Sequence, residues 1–206
     1  MIDAELWRRL RDLAPDEVTE RSGATLTEEG HYELFVLGSG VWVNAQTEQV
    51  TSSWPEVIPV DYFLAVSAIQ YLISAKKGAP TFGGPPADEL ISPRQLAYGE
   101  VFFRGPHALP GDALGALFSA DGARFRQVLG QLGGLPTELG DVGMRVSVFP
   151  KIPISLGLWL ADDEFPARVT FLFDRTAGDH LPLDALWSAA MVLAGAVRRL
   201  AALPQE

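Results

Sequence analysis

Three runs in the last third of the chain alternate apolar with small or polar residues at a period of two, and they constrain the fold more than any other feature. Residues 143–149 put Met144, Val146 and Val148 on one side. Residues 154–160 set Ile154, Leu156, Leu158 and Leu160 against Ser155, Gly157 and Trp159, and residues 168–173 set Val169, Phe171 and Phe173 against Arg168, Thr170 and Leu172. Alternation sustained over neighbouring runs marks antiparallel strands with one face on a core. The second and third runs are joined by a turn of three consecutive acids, Asp162, Asp163 and Glu164, closed by Phe165-Pro166.

The remaining elements are legible with local rules. Leu6, Leu10 and Leu13 share a side of an amphipathic helix over residues 3–13, which Asp3 can cap before Ala14-Pro15 ends it. A short helical turn is expected at 16–21, ending at Gly23. Residues 31–37 and 41–45, rich in β-branched and aromatic side chains, flank Gly38-Ser39-Gly40 and predict a hairpin. Asp61 opens a helix carrying Phe63, Val66, Ile69 and Ile73 on one face. Residues 78–86, rich in glycine and proline, predict a loop. A short proline-started helix and an aromatic segment are expected over 92–104, then helices over 111–118 and 122–132, and a long one from Pro182.

Together these predict an α+β fold: a five-stranded antiparallel sheet, from the 31–45 hairpin and the three strands of 143–173, with helices packed on it. PAS-like and profilin-like domains share that element order, an analogy of fold alone. A single domain is expected across 1–206, with residues 1–22 a helical N-terminal extension and 24–203 the core.

Charge and cysteine content narrow the partners. Sixteen basic against 26 acidic side chains give a formal charge of −10, which repels phosphate backbones and anionic lipid and disfavours nucleic acid and membrane as partners. A small molecule or a protein partner remains open. The apolar run 185–203 is interrupted by Ser188, Arg198 and Arg199, which argues against a membrane span. The chain has no cysteine, so it ligates no iron–sulfur cluster and holds no thiolate. With a mixed, signal-free N-terminal segment this points to the cytoplasm.

Candidate chemistry concentrates in the acidic turn. Asp162, Asp163 and Glu164 could ligate a hard cation, and Asp163 or Glu164 could act as acid or base, although a charge run is more often a solvated turn. Pairing of Asp163 or Glu164 with Arg168 or Arg94 would fix the turn. His31, His107 and His180 lack any paired metal-ligand spacing, and Ser155 has no local triad partner. Arg94, Tyr98, Arg104 and Lys151 form a second group suited to an anion. Trp159 and Phe149, with Trp42 as a neighbour, could line a concave face for a flat ligand.

The stretch FPKIPISLGLWLADDEFPARVTFLFD (149–174) and HLPLDAL (180–186) resemble the domain-of-unknown-function family 3786 of anaerobic bacteria and archaea, with weaker similarity at 89–104, 132–136 and Ile69–Leu72. The resemblance spans roughly 34–200. It implies no established activity. Some relatives carry an added cysteine-rich iron–sulfur segment, which implies a link to redox or tetrapyrrole metabolism, and this chain lacks it. Many show Leu-His-Tyr where this chain has Ile69-Gln70-Tyr71, so a role for that histidine does not carry over. The reading is a cytosolic binding or accessory domain, its cofactor unknown, meeting its ligand through Arg94, Tyr98, Arg104, Trp159 and Phe165. The alternatives are an acid–base or divalent-metal enzyme using the 162–164 turn, and a structural subunit of a complex.

Overall fold

A computed structural model describes residues 2–78 and 89–203. The expected 78–86 loop lies, beyond Gly78, outside the described residues. Two helices open the chain, α1 (Ala4–Arg11) and α2 (Pro15–Ser22). The Asp3 carboxylate accepts from Glu5 N at 2.9 Å, and Gly23 closes α2 at φ 75°. Leu6, Trp7, Leu10 and Val18 are buried and belong to the main hydrophobic cluster.

Four strands follow: β1 (Thr25–Leu26), β2 (Tyr32–Val36), β3 (Ser39–Asn44) and β4 (Gln49–Ser52), paired antiparallel in that order. Val36 pairs with Ser39, so the hairpin loop is Leu37-Gly38, both at positive φ (51° and 77°). That is the conformation whose twist matches the flanking strands. The turn therefore starts one residue earlier than its glycines suggest, and Leu37 is buried there.

Helix α3 (Tyr62–Ser74), capped by Asp61 at Leu64 N, leads to β5 (Leu90–Ile91), a 3-10 turn at Pro93–Gln95 and α4 (Gly99–Phe102). Then come α5 (Gly111–Phe118), α6 (Gly122–Gln131), β6 (Leu135–Thr137), β7 (Val142–Phe149), β8 (Ile152–Trp159), β9 (Arg168–Asp174), α7 (Ala177–His180) and α8 (Leu183–Ala202). The second sheet has the antiparallel order β5-β9-β8-β7-β6.

The α+β class and the antiparallel pairing are as the sequence predicts. The sheet membership differs. The hairpin does not join the three alternating strands; it belongs to its own four-stranded sheet, and short strands at 90–91 and 135–137 complete the other. The single-sheet arrangement suggested by the PAS and profilin analogy is thus divided in two. One hydrophobic cluster contains residues of both sheets and of α3 and α8. Helix α8 is long and apolar enough to cross a membrane by length and composition, and 67% of its most apolar window is buried within the protein.

Helix α5 rides directly on the backbone of β9. Strand β5 pairs only with residues 173–174, which leaves the outer edge of β9 open before that point. A Cβ on Gly111 would lie 2.2 Å from Val169 O, and one on Gly115 2.3 Å from Ala167 O. Two glycines four apart therefore let the helix cover an edge that would otherwise be free to pair.

Candidate functional site

Strand β8 joins two turns of opposite character. At its far end, where Trp159 is 40% exposed, the connection to β9 forms one wall of a cavity of about 530 Å³. Trp159, Leu160, Asp162, Phe165, Pro166 and Arg168 line it, with Asp112 from the first turn of α5 and Asp141 from the residue before β7. Phe165 is 66% exposed at the rim.

The turn is shaped by two aspartates acting on backbone. The Asp162 carboxylate accepts from Glu164 N at 2.9 Å and Phe165 N at 2.7 Å, and Asp162 N donates to Phe165 O at 3.0 Å. Asp141 Oδ2 accepts from Leu160 N at 2.8 Å, while Asp141 N donates to Leu158 O at 2.9 Å. The two peptide N–H groups on Asp162, that of Glu164 first, hold its carboxyl below the usual range. The Trp159 indole N–H donates to Thr170 Oγ1 at 3.2 Å, and the Arg168 guanidinium lies 5.8 Å from the ring centroid. Three aspartates and one arginine thus border a cavity that has an aromatic wall.

Of the residues singled out from sequence, the structure brings together Trp159, Phe165 and Asp162. Asp163 and Glu164 are exposed in the turn and do not line the cavity, and neither pairs with Arg168 or Arg94. The turn is fixed by Asp162 instead. Arg94 lines a separate cavity of about 290 Å³ with Ser92, Phe103, Leu109, Thr170 and Phe171. Gly111 and residues 169–171 border that cavity, while their neighbours Asp112 and Arg168 border the first. Tyr98 is 88% exposed, and Arg104 pairs with Glu100, one turn away; neither lines the two cavities. Among the described residues, no three His, Asp or Glu side chains converge as a metal site.

The other face-lining candidates also separate. Trp42 lies in the first sheet, against Gly40. Phe149 stacks on Tyr71 at 4.8 Å in the core. Leu139 covers Gly157, where a Cβ would come within 2.5 Å of its Cγ. The Ser155 hydroxyl is buried and bonds to no described group. Missed in the sequence were Asp112 and Asp141, which sit about 50 and 20 positions before the turn with no local pattern to connect them to it.

At the near end of β8 the turn is buried. Lys151, 2% exposed, donates from Nζ to Arg21 O at 2.6 Å, in the last turn of α2, and to Lys76 O at 2.5 Å, beyond the end of α3. The Tyr71 hydroxyl donates to Ser22 O at 2.8 Å and accepts from Lys151 N at 3.2 Å. Lys151, expected beside Arg94 on an anion site, instead ties the C-terminal turn of α2, where the macrodipole favours a cation, to the segment after α3. His180 Nδ1 accepts from Lys76 N at 3.2 Å in the same region, which requires the proton on Nε2 when the ring is neutral.

A family model described as Domain of unknown function (DUF3786) matches residues 14–196. The chain belongs to that family. No curated protein and no solved structure matches it. In this member of DUF3786, the stretch 149–174 contains both turns of β8, the buried one that ties the helices and the exposed one that walls the cavity.

Proposed function

We propose that this chain is a cytosolic small-molecule binding or accessory domain, with its ligand in the cavity between Trp159 and Phe165. One observation carries the reading: a cavity of about 530 Å³ is walled by an exposed tryptophan whose ring is held in place by a hydrogen bond. That volume lies within the usual range for small-molecule pockets, which are lined by aromatic groups and a few fixed polar ones. Large apolar rings cost free energy in water, so their exposure on a braced turn favours an occupant. The lining holds no histidine, methionine or tyrosine. A metal tetrapyrrole would therefore find no imidazole, thioether or phenolate ligand there, which favours a metal-free occupant.

Native mass spectrometry of protein purified from its own host tests the proposal. The expected result is a co-purifying small molecule that is absent from Trp159→Ala. Protein that emerges ligand-free, and that takes up neither flavins nor tetrapyrroles, overturns it. The exposure of Phe165 also favours a second reading, a protein partner docking on this rim. Light scattering of the native complex before and after Trp159→Ala separates the two. The enzyme alternative uses the Asp162-Asp163-Glu164 turn, of which Asp162 lines the cavity and the acid–base candidates Asp163 and Glu164 do not. Titration with Mg²⁺ or Ca²⁺ tests its metal form, because a cation bound only by the folded state raises thermal stability.

A further inference from the structure

We infer that the Trp159–Phe165 cavity selects an organic cation of the quaternary ammonium class; this rests on the small-molecule reading above. Aromatic faces attract cations through their quadrupole, and aromatic cages are the usual device for holding quaternary ammonium groups. Trp159 and Phe165 both line the cavity, and Trp159 already carries a cation, the Arg168 guanidinium at 5.8 Å. The ring is oriented for that role by its bond to Thr170.

The charges agree in sign. Asp112, Asp141 and Asp162 border the same space. Asp141 and Asp162 are held by peptide N–H groups, so neither carboxylate has to move to meet a ligand. Arg168 is the one cation among the lining residues, and it is cross-strand partner to Trp159. It serves as an internal competitor for the indole face. An anionic ligand would meet one guanidinium against three carboxylates, and a neutral one would gain from them only through hydrogen-bond donors of its own. A quaternary ammonium group meets aromatic faces and anionic rim together while bringing no hydrogen-bond donor that the cavity must satisfy.

Titration of the folded protein with tetramethylammonium chloride at fixed ionic strength tests this, followed by the Trp159 indole N–H resonance. Neopentyl alcohol, of similar shape and uncharged, is the control. Tetramethylammonium should bind about tenfold more tightly than the alcohol. Trp159→Leu, which removes that indole reporter and is therefore followed by isothermal titration calorimetry, should erase the preference, with an unchanged melting temperature showing that the variant is folded. Arg168→Gln should tighten cation binding, because it removes the competitor. Equal or tighter binding of neopentyl alcohol overturns cation selectivity and leaves the cavity reading standing. Failure of both probes, with no co-purifying ligand in native mass spectra, overturns both. A peptide bearing trimethyl-lysine that binds far more tightly than tetramethylammonium would make the cation a partner's side chain and overturn the small-molecule form.

Discussion

Trp159 and Thr170 face each other across β8 and β9, and the indole N–H donates to the threonine hydroxyl at 3.2 Å. Their strands bring them near, since Trp159 pairs with Arg168 and Gly157 with Thr170. The bond decides which way a 40% exposed ring points. Thr170→Val keeps the shape and removes the acceptor. Partly solvated hydrogen bonds contribute about 1 kcal/mol or less, so the denaturation midpoint should move little. The Trp159 indole resonance should broaden and shift, and affinity for any cavity ligand should fall. An unchanged indole resonance would show that packing alone orients the ring.

Which parts of this arrangement were legible in the sequence follows from how far each signal reaches. The alternation of Met144, Val146 and Val148, and of Ile154, Leu156 and Leu158, locates β7 and β8 because burial of one face is a local pattern. Helix starts at Asp3, Asp61 and Pro182 were equally local. Sheet membership was not, since no residue in 31–45 records which edge it will face. Strands of two or three residues, β5 and β6, are too short to alternate. At the site, Trp159, Phe165 and Asp162 were found because they adjoin one another. Asp112 and Asp141 are brought there only by the packing of α5 on β9 and by the loop before β7.

Asp162 should make the turn sensitive to acid. Its carboxyl is held below the usual value by the N–H groups of Glu164 and Phe165. A carboxylate with a depressed folded pKa contributes stability above its unfolded value, about 3.9, and that contribution is lost as pH falls through the folded value. Asp162→Asn retains an oxygen acceptor without the charge. Melting temperatures of the variant should match the wild type less closely at neutral pH and more closely in strong acid. Parallel curves at every pH would sink the assignment.

Gly115→Ala tests how α5 is seated. Alanine normally gains about 1 kcal/mol over glycine inside a helix. Here its Cβ would sit 2.3 Å from Ala167 O and 2.4 Å from Arg168 Cα, both backbone atoms that cannot rotate away. The clash should outweigh the propensity gain, for a net loss of about 2 kcal/mol or more. Urea denaturation measures it. The shift of α5 should also displace Asp112 and weaken cavity binding in whatever fraction remains folded.

Lys151→Met should destabilise the chain. Methionine approximates the lysine stem but leaves Arg21 O and Lys76 O without the donor they now share. Relief of the buried ammonium offsets part of that, since burial alone already pulls the Lys151 pKa down. The two carbonyls are only part-buried, so leaving them without that donor costs about 1 kcal/mol each, for a net loss of about 1–2 kcal/mol. A double-mutant cycle with Tyr71→Phe should show coupling, because the Tyr71 hydroxyl donates to Ser22 O, next to the Arg21 carbonyl that Lys151 Nζ holds.

His180 gives the same region a response near neutrality. Burial, followed by the charge of Lys151, lowers its pKa below the ordinary 6.5, while Asp179 and Asp174 oppose the shift and Lys76 adds to it. A histidine with a depressed folded pKa binds fewer protons in the native chain than in the unfolded one. Stability is therefore complete above about 6.5 and lost as pH falls toward the folded value. Protonation also removes the Nδ1 lone pair that accepts from Lys76 N at 3.2 Å. In His180→Asn, the amide oxygen can accept that bond without titrating. Denaturant midpoints should fall between about pH 7 and pH 5 in the wild type and fall less in the variant. Equal slopes in the two proteins would place the titrating group elsewhere.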